Sequence, residues 1–235
     1  MQDQATEARV RDRIEEVQRR VDEALGRSGR GPGEAKVLIA SKYYEPDQIS
    51  ALSQVGVELL GENRAQDLVR KHEIFGDTFE WHFIGHLQRR KAKDVIPLVT
   101  LIHSVDSVRL IEELGKRAPE KGVDALIQMN LSGEESKYGV GEGEVERLLE
   151  AAAADEGKVR VKGLMTVAPM VEQAGDVRYV FSKLREIRDR LQHDWSPHFD
   201  FPELSMGMSG DFEVAVEEGA TLVRLGRAII EEDGP

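Results

Sequence analysis

The sequence predicts an α/β protein whose parallel strands close into a (β/α)8 barrel. Apolar, strand-like runs alternate with amphipathic, helix-like segments from Lys36 to Leu225, which is the pattern of consecutive β-α-β units around a parallel sheet. Eight such runs occur in 235 residues, and eight strands close a barrel of roughly 250 residues. Because the alternation does not by itself separate a closed barrel from an open, doubly wound sheet, the open sheet remains the alternative.

An additional helix is predicted before the first strand. Between Ala5 and Leu25 the apolar residues recur every three or four positions, opposite a charged face, as in an amphipathic helix. Four glycines and Pro32 within residues 26–33 then end the helix. We expect residues 1–33 to form this helix and a Gly-rich turn that flank the barrel closure, and residues 36–230 to form the barrel. Residues 1–235 would then make a single domain.

The predicted strands share an apolar centre followed by small or polar residues. They are Lys36–Ser41, Val57–Leu60, Phe79–Ile84, Leu98–Ser104, Ala125–Asn130, Val159–Met165, Phe201–Met206 and Leu222–Leu225. The predicted helices between them each carry an apolar face. They cover about Pro46–Val55, Arg64–Phe75, Gln88–Ile96, Ser107–Ala118, Gly143–Ala154, Ala174–Gln192 and Gly210–Glu218.

Composition narrows the function classes. A net charge of -12 disfavours a general nucleic-acid binder or a protein of anionic membranes. Because the chain has no cysteine, disulfides, thiolate catalysis and cysteine-bound zinc are excluded. No charged leader with an apolar core opens the chain, and no apolar run is long enough to cross a bilayer. We therefore expect a cytoplasmic protein that binds neither nucleic acid nor membrane.

Lys42 is the first candidate for chemistry. It follows the apolar run Val37–Ala40 and so lies at the carboxyl end of a predicted strand, where ligands bind in α/β proteins. If apolar neighbours hold this lysine away from water, its pKa falls and the neutral amine can form a Schiff base with an aldehyde or ketone. The alternative is a lysine whose stem lies along the strand end while its amine stays in water.

Two glycine-containing segments predict a phosphate site. Ser205–Gly210 follows the seventh strand and leads into a helix, and Arg224–Ala228 ends the eighth. Glycines let the backbone approach an anion, helix amino termini offer N–H donors, and the loops after strands seven and eight often hold phosphate in such barrels. Taken singly, tight packing at Gly207 or a structural ion pair of Arg224 explains each segment. Together they favour a phosphate ligand.

The histidines are weaker candidates. His82 lies inside an apolar strand and is expected to be a hydrogen-bonded core residue, whereas His86 lies beyond the strand end, where a ligand contact is favoured. Their spacing suits a metal on a helix, but two strand residues four positions apart lie far from each other. We therefore expect no metal.

A nucleophilic lysine beside a phosphate site predicts a ligand that carries both an aldehyde and a phosphate. Two classes fit: pyridoxal 5′-phosphate (PLP), or the phosphosugar of a Schiff-base aldolase. An aldolase would need a second lysine or an acid beside the nucleophile, and only Lys137, in a loop segment, is a candidate.

Several segments together resemble the family of PLP homeostasis proteins. The resemblance runs in order from about Lys36 to Ile230 and is most specific at residues 82–88 (His-Phe-Ile-Gly-His-Leu-Gln) and 205–209 (Ser-Met-Gly-Met-Ser). The other matching segments are Ala40–Lys42, Gly61–Asn63, Gln128–Asn130, Glu135–Gly139, Gly163–Met165 and Val223–Gly226. The sequence departs from the family pattern at Tyr43 and Tyr44, where small polar residues are usual, and at Arg90, where asparagine is usual.

The resemblance implies a barrel like the amino-terminal domain of alanine racemase, with PLP held as an aldimine of Lys42. It also implies that Ser209 and backbone N–H groups near Gly226 and Arg227 hold the phosphate, and that Arg224 faces the pyridine nitrogen. The complete implied set of PLP-binding residues is Lys42, Asn63, His86, Met165, Ser205, Ser209, Arg224, Gly226 and Arg227.

The resemblance further implies intracellular PLP homeostasis by storage, delivery or buffering, without established catalytic turnover. A permanent cation at Arg224 would disfavour protonation of the ring nitrogen, on which the electron sink of PLP depends. Racemases with this arrangement add a tyrosine base from a second domain, which we expect this chain to be too short to include. We expect a monomer that exchanges PLP with small amines and with PLP-dependent apoenzymes. The alternative is a small PLP-dependent amino-acid racemase or lyase.

Overall fold

Eight parallel strands close into a barrel in the computed structural model, which describes residues 2–134, 137–226 and 229. The strands are β1 (Lys36–Ala40), β2 (Leu59–Glu62), β3 (Glu80–Phe83), β4 (Leu101–Val105), β5 (Val123–Met129), β6 (Val159–Thr166), β7 (Glu203–Ser205) and β8 (Leu222–Leu225). Each strand pairs with the next one in the sequence, and β8 pairs back with β1. The predicted barrel is therefore confirmed, and the open-sheet alternative is wrong.

Helices alternate with the strands along the described chain. They are α1 (Gln2–Arg27), α2 (Pro46–Gln54), α3 (Ala65–Phe75), α4 (Ala92–Val95), α5 (Val108–Arg117), α6 (Val145–Ala153), α7 (Arg178–Trp195) and α8 (Phe212–Glu217). None of them, within the ranges given above, is both long and apolar enough to cross a bilayer.

The additional helix α1 lies where the barrel closes, as predicted. It packs against α2 and α8, the helices that follow β1 and precede β8. Its apolar stripe is buried at Val17, Val21 and Leu25, and Arg20 forms an ion pair with Glu213 of α8 at 2.9 Å. The helix thus covers the junction between the first and last strands.

Strand side chains alternate between two cores because successive residues point to opposite faces of a sheet. Ile39 and Leu60 belong to the large outer core between strands and helices. Leu38 and Leu222 belong to a second cluster, whose members come from six different strands and fill the barrel interior. Arg224 is paired in register with Leu38, so its side chain points into the interior as well.

The bounds of several predicted elements differ from the structure: β4 begins three residues later than predicted, and β5 and β7 also have other ends. Two further differences have a clear physical reason. β2 starts and ends two residues later than the predicted Val57–Leu60, because Glu62 is completely buried and paired although its charge suggested a loop. The predicted helix Gln88–Ile96 is α-helical only in α4, between 3-10 turns at Arg89–Lys91 and Ile96–Leu98. Pro97 has no N–H to donate and so ends the α-helical ladder.

Candidate functional site

The exposed Lys42 lies at the carboxyl-end opening of the barrel. It is the middle residue of the 3-10 turn Ser41–Tyr43 that follows β1. Its side chain is exposed to solvent, which fits the alternative of a lysine in contact with water at the strand end and not that of a lysine shielded by apolar neighbours. The turn ends the apolar strand one residue before Lys42 and carries this side chain out of the core.

A buried ion pair supports the turn that carries Lys42. Lys71 of α3 donates from Nζ to the Ser41 carbonyl oxygen at 2.6 Å and to Glu62 Oε1 at 2.8 Å. The Ser41 hydroxyl donates to the same carboxylate at 2.9 Å. All three side chains are buried. We call Ser41, Glu62 and Lys71 the lysine platform, because they fix the backbone immediately before Lys42.

Asn63 and His86 lie side by side at the ends of β2 and β3. They contribute to the lining of a cavity of about 260 Å³ together with Arg64, Arg90 and Lys91. The Oδ1 atom of Asn63 is buried and has no hydrogen-bond partner among the described residues. A buried acceptor left in this state is expected to find its donor in a ligand or water.

His86 has its orientation set from two sides. Its Nδ1 atom is 3.2 Å from the Asp106 carboxylate, and its ring stacks on Tyr138 with 3.9 Å between centroids and 12° between planes. His82 lies apart from it, inside the barrel, where it is hydrogen-bonded to His103. The two histidines therefore share no site, and His82 is the hydrogen-bonded core residue that we predicted.

Arg224 is a buried cation beneath the opening. Its Nη1 donates to the Ser205 hydroxyl at 2.7 Å, and its Nη2 donates to the Thr166 carbonyl oxygen at 2.8 Å. Burial lowers the pKa of this guanidinium to about 10, opposed by the nearby Asp211 carboxylate. The side chain is therefore still positively charged at neutral pH, and two of its five N–H donors are hydrogen-bonded within the described residues.

A chain of hydrogen bonds continues from Arg224 across the barrel interior. Ser205 Oγ is 2.8 Å from His103 Nδ1, and His103 Nε2 is 2.9 Å from His82 Nδ1. His82 Nε2 is 3.3 Å from the carboxylate of Glu80, at the start of β3. We call Glu80, His82, His103, Ser205 and Arg224 the interior chain.

The predicted phosphate segment forms a tight turn after β7. Gly207 has φ +93°, and an added Cβ would lie 2.6 Å from the Ala215 side chain, so only glycine fits without rearrangement. The Met208 N–H is already donated to the Asp211 carboxylate at 2.6 Å, contrary to the expectation of free donors there. The N–H groups of Ser209 and Gly210 have no acceptor within the described chain.

The second loop of the predicted phosphate site packs against the first strand. An added Cβ at Gly226 would lie 3.2 Å from the Ala40 carbonyl oxygen. The Tyr44 hydroxyl donates to the Gly226 carbonyl oxygen at 3.1 Å, and Tyr44 is buried. This departure from the family pattern therefore ties the turn of Lys42 to the loop after β8. Arg227 lies outside the described residues.

Of the remaining candidates, Met165 is a buried member of the interior cluster, directly below the opening. Lys137 forms an ion pair with Glu134 at 2.8 Å. The structure thus places Lys42, Asn63, His86, Met165, Ser205, Ser209, Arg224 and Gly226 in or directly after strands, toward the carboxyl-end opening of the barrel.

Sequence reasoning missed two groups next to these residues. One is Lys71, whose spacing of three from the buried Leu68 places it on the apolar face of α3; a lysine in that position was a usable signal. The other is His103, which lies in the predicted fourth strand and is fully buried in the interior. Its partner Ser205 is 102 residues away, and no local pattern indicates that pairing.

Comparison with known proteins identifies the family. The family model "Alanine racemase, N-terminal domain" matches residues 17–232. The pyridoxal phosphate homeostasis protein of Aquifex aeolicus is 44% identical over 224 residues, which are 94% of this chain and 97% of that protein. The chain belongs to the pyridoxal phosphate homeostasis protein family.

Solved structures agree with this membership. PipY of Synechococcus elongatus, solved with PLP bound, has a TM-score of 0.82 and 28% identity, covering 94% of this chain and 100% of PipY. The alanine racemase of Corynebacterium glutamicum has a TM-score of 0.70 and 16% identity, covering 95% of this chain and 62% of the racemase. That similarity shows that the homeostasis proteins share the barrel of the racemase.

Proposed function

We propose that this chain binds PLP at the carboxyl-end opening of its barrel and takes part in intracellular PLP homeostasis by storage, delivery or buffering. The observation that carries the proposal is the pair formed by Lys42 and Arg224. One is an exposed lysine after β1, and the other is a buried cation on the neighbouring strand β8. An amine can bind the aldehyde of PLP, and an arginine can donate a hydrogen bond to the ring nitrogen at the opposite position of the ring.

The other residues of the opening fit the same ligand. Asn63 offers an unsatisfied acceptor, which the phenolic hydroxyl of PLP would satisfy. The N–H groups of Ser209 and Gly210 offer donors without internal partners in the described chain, suited to phosphate oxygens. We assign Gly226 to the phosphate loop, His86 and Ser205 to the surroundings of the ring, and Met165 to the apolar floor. Arg227 remains a predicted phosphate neighbour.

The residues favour holding the cofactor over turnover. When bound, PLP supplies an electron sink that is strongest with a protonated ring nitrogen. Arg224 is a cation held by Ser205 and Thr166, so it disfavours a proton on that nitrogen. We therefore propose a PLP-binding protein that is not an enzyme. Its exchange of PLP with small amines and PLP-dependent apoenzymes, its monomeric state and its place in the cytoplasm stay predictions of this proposal.

A second candidate is a small PLP-dependent amino-acid racemase or lyase, favoured by the shared racemase barrel. The two functions differ in what the PLP-loaded protein does to L-amino acids. A homeostasis protein leaves them unchanged over hours, whereas a racemase or lyase yields the D-isomer or a cleavage product in chiral chromatography.

The proposal is tested by trapping the bond to Lys42. We expect purified protein incubated with PLP to show a visible band that borohydride removes, leaving a phosphopyridoxyl group on Lys42 in peptide mass spectrometry. Lys42→Ala should abolish this adduct and keep the fold, because the side chain is exposed. The control is Lys36→Ala, which removes an exposed lysine from the opposite end of β1. An adduct that persists in Lys42→Ala, or that disappears in Lys36→Ala, would contradict the assignment.

A further inference from the structure

The interior chain connects the two ends of the barrel. Glu80 is the first residue of β3, at the amino-terminal end, and its side chain is half exposed. The next three members, His82, His103 and Ser205, are buried and belong to β3, β4 and β7. Arg224 completes the chain beneath the carboxyl-end opening. The interior of such barrels is usually filled by apolar side chains, as in the cluster around Leu38. A continuous row of polar side chains across it is therefore a departure that needs an explanation.

The donors and acceptors allow a single direction for this chain when both imidazoles are neutral. Arginine only donates, so Ser205 Oγ accepts from Arg224; the ionised Glu80 carboxylate only accepts, so neutral His82 and His103 must each donate toward Glu80, which leaves His103 Nδ1 to accept from the Ser205 hydroxyl. The proton of His103 then resides on Nε2 and is donated to His82 Nδ1. His82 in turn carries its proton on Nε2 and donates it to the Glu80 carboxylate. Every group in the chain is satisfied in this arrangement.

The surrounding charges support the neutral form of His103. Burial, with His82 and the Arg224 cation facing the ring, holds the pKa of His103 well below its usual range. At the far end, hydrogen bonds from His82 and Thr100 lower the pKa of Glu80 to about 2, with the positive charge of Lys36 nearby. Asp211 faces Arg224 from the turn before α8. An anionic Glu80 can only accept, which sets the direction of the chain from its solvent end.

We propose that Glu80, His82, His103 and Ser205 are positioning residues for Arg224, forming a hydrogen-bond relay in which every bond is donated in one direction, from Arg224 on the ring-nitrogen side of the PLP pocket to Glu80 at the amino-terminal face of the barrel. This inference rests on the proposed function only for the identity of the ligand at Arg224. The direction of the relay is a property of the protein without cofactor. A substitution at Glu80 should therefore change the hydrogen bonding of Arg224 at the opposite end of the barrel.

The first test needs no cofactor. Long-range ¹H–¹⁵N correlation spectra of histidine-labelled protein at neutral pH are expected to show His82 and His103 both protonated on Nε2. Glu80→Gln keeps the side-chain size but can accept or donate, so both rings should shift together toward a mixture of tautomers. Glu58→Gln, next to the start of β2, is the matched surface control and should change neither ring.

The second test measures coupling through PLP affinity. We expect Glu80→Gln to raise the Kd of PLP about threefold in the otherwise unchanged protein and to have no further effect in a Ser205→Ala background, since the relay is already broken there. Independent contacts would give additive effects instead.

Two results would overturn the relay: a wild-type His103 protonated on Nδ1, or a Glu80→Gln protein in which His82 shifts and His103 does not. Both can occur while Lys42 still binds PLP, in which case the relay fails and the proposed function stands. If PLP does not bind, the tautomer spectra still decide the direction of the relay.

Discussion

The lysine platform and the interior chain are both sets of polar side chains near the opening of the barrel. All members of the platform are buried, whereas the interior chain reaches solvent at Glu80. In the platform, Lys71 and Glu62 are almost completely buried and satisfy each other and Ser41. The interior chain starts at a half-exposed carboxylate and ends at the guanidinium of Arg224. The first arrangement fixes a backbone position, whereas the second connects two surfaces.

This difference separates two roles that burial alone would not distinguish. A closed ion pair is costly to break because the surviving partner is left charged and buried, so the platform should matter for stability and the placement of Lys42. The interior chain has one half-exposed end at Glu80, and the groups at its centre, His103 and Ser205, make no ion pair within the described chain that a substitution would break. Substitutions in it should therefore change ligand binding and pH dependence more than the presence of the fold.

Breaking the platform is expected to have the largest effect. Lys71→Met leaves the Glu62 carboxylate buried without its cation, which should lower the free energy of unfolding by about 3–5 kcal/mol. Urea unfolding followed by circular dichroism measures this loss. The double variant Lys71→Met with Glu62→Gln should recover part of it, because no uncompensated charge remains. A single variant as stable as the wild type would show that the pair is not structurally important.

The second-largest effect is expected from replacing Arg224, the end of the interior chain that lies at the pocket. Arg224→Ala leaves the Ser205 hydroxyl and the Thr166 carbonyl without their donor and takes away the cation beneath the opening. A hydrogen bond to a charged group is worth about 1.5–3 kcal/mol, so the Kd of PLP should rise roughly tenfold to a hundredfold. Equilibrium dialysis with PLP provides the measurement. Arg224→Lys keeps the charge and should lie between the two, whereas an unchanged Kd in Arg224→Ala would remove the role we assign.

The smallest expected effect is the contribution of His103 to the pH dependence of the unfolding free energy. Because the pKa of His103 is lowered in the folded protein, folding favours its neutral form. Its contribution to stability is complete above the usual histidine value of 6.5 and is lost as the pH falls below it. We expect the unfolding free energy to fall by up to about 1.4 kcal/mol per pH unit per proton. His103→Gln should flatten this slope and the exposed His193→Gln should not, as urea midpoints at several pH values would show. Equal slopes in both variants would contradict a neutral, buried His103.

The sequence was sufficient for the order of elements and for which end of the barrel carries most of the candidate residues. Hydrophobic alternation identifies all eight strands, and β8 has the predicted bounds, because an apolar strand between two glycine-containing turns leaves little choice. Charge was misleading where its partner is distant along the chain or on another element. Glu62 was read as part of a loop since nothing local shows that Lys71 neutralises it.

The surroundings of Lys42 could be predicted from the sequence only in part. Its position at the end of β1 follows from the apolar run that precedes it, but its exposure depends on the 3-10 turn and on the platform beneath. The interior chain requires contacts such as the one between His103 and Ser205 across 102 positions. Such pairs are set by the closure of the barrel, and a single sequence does not contain that geometry.

The bond between Tyr44 and Gly226 joins residues that are 182 positions apart, and it has a consequence for synthesis. The opening of the barrel contains residues from the first and the last strand. Lys42, after β1, is therefore translated early, and Arg224, in β8, is translated late. Contacts of such high sequence separation form late in folding, and a chain emerging from the ribosome reaches them only near completion. A nascent chain that still lacks β8 would carry Lys42 without Arg224 on the neighbouring strand. The amount of PLP that the protein retains should therefore depend on how many chains have been completed as well as on the affinity of each.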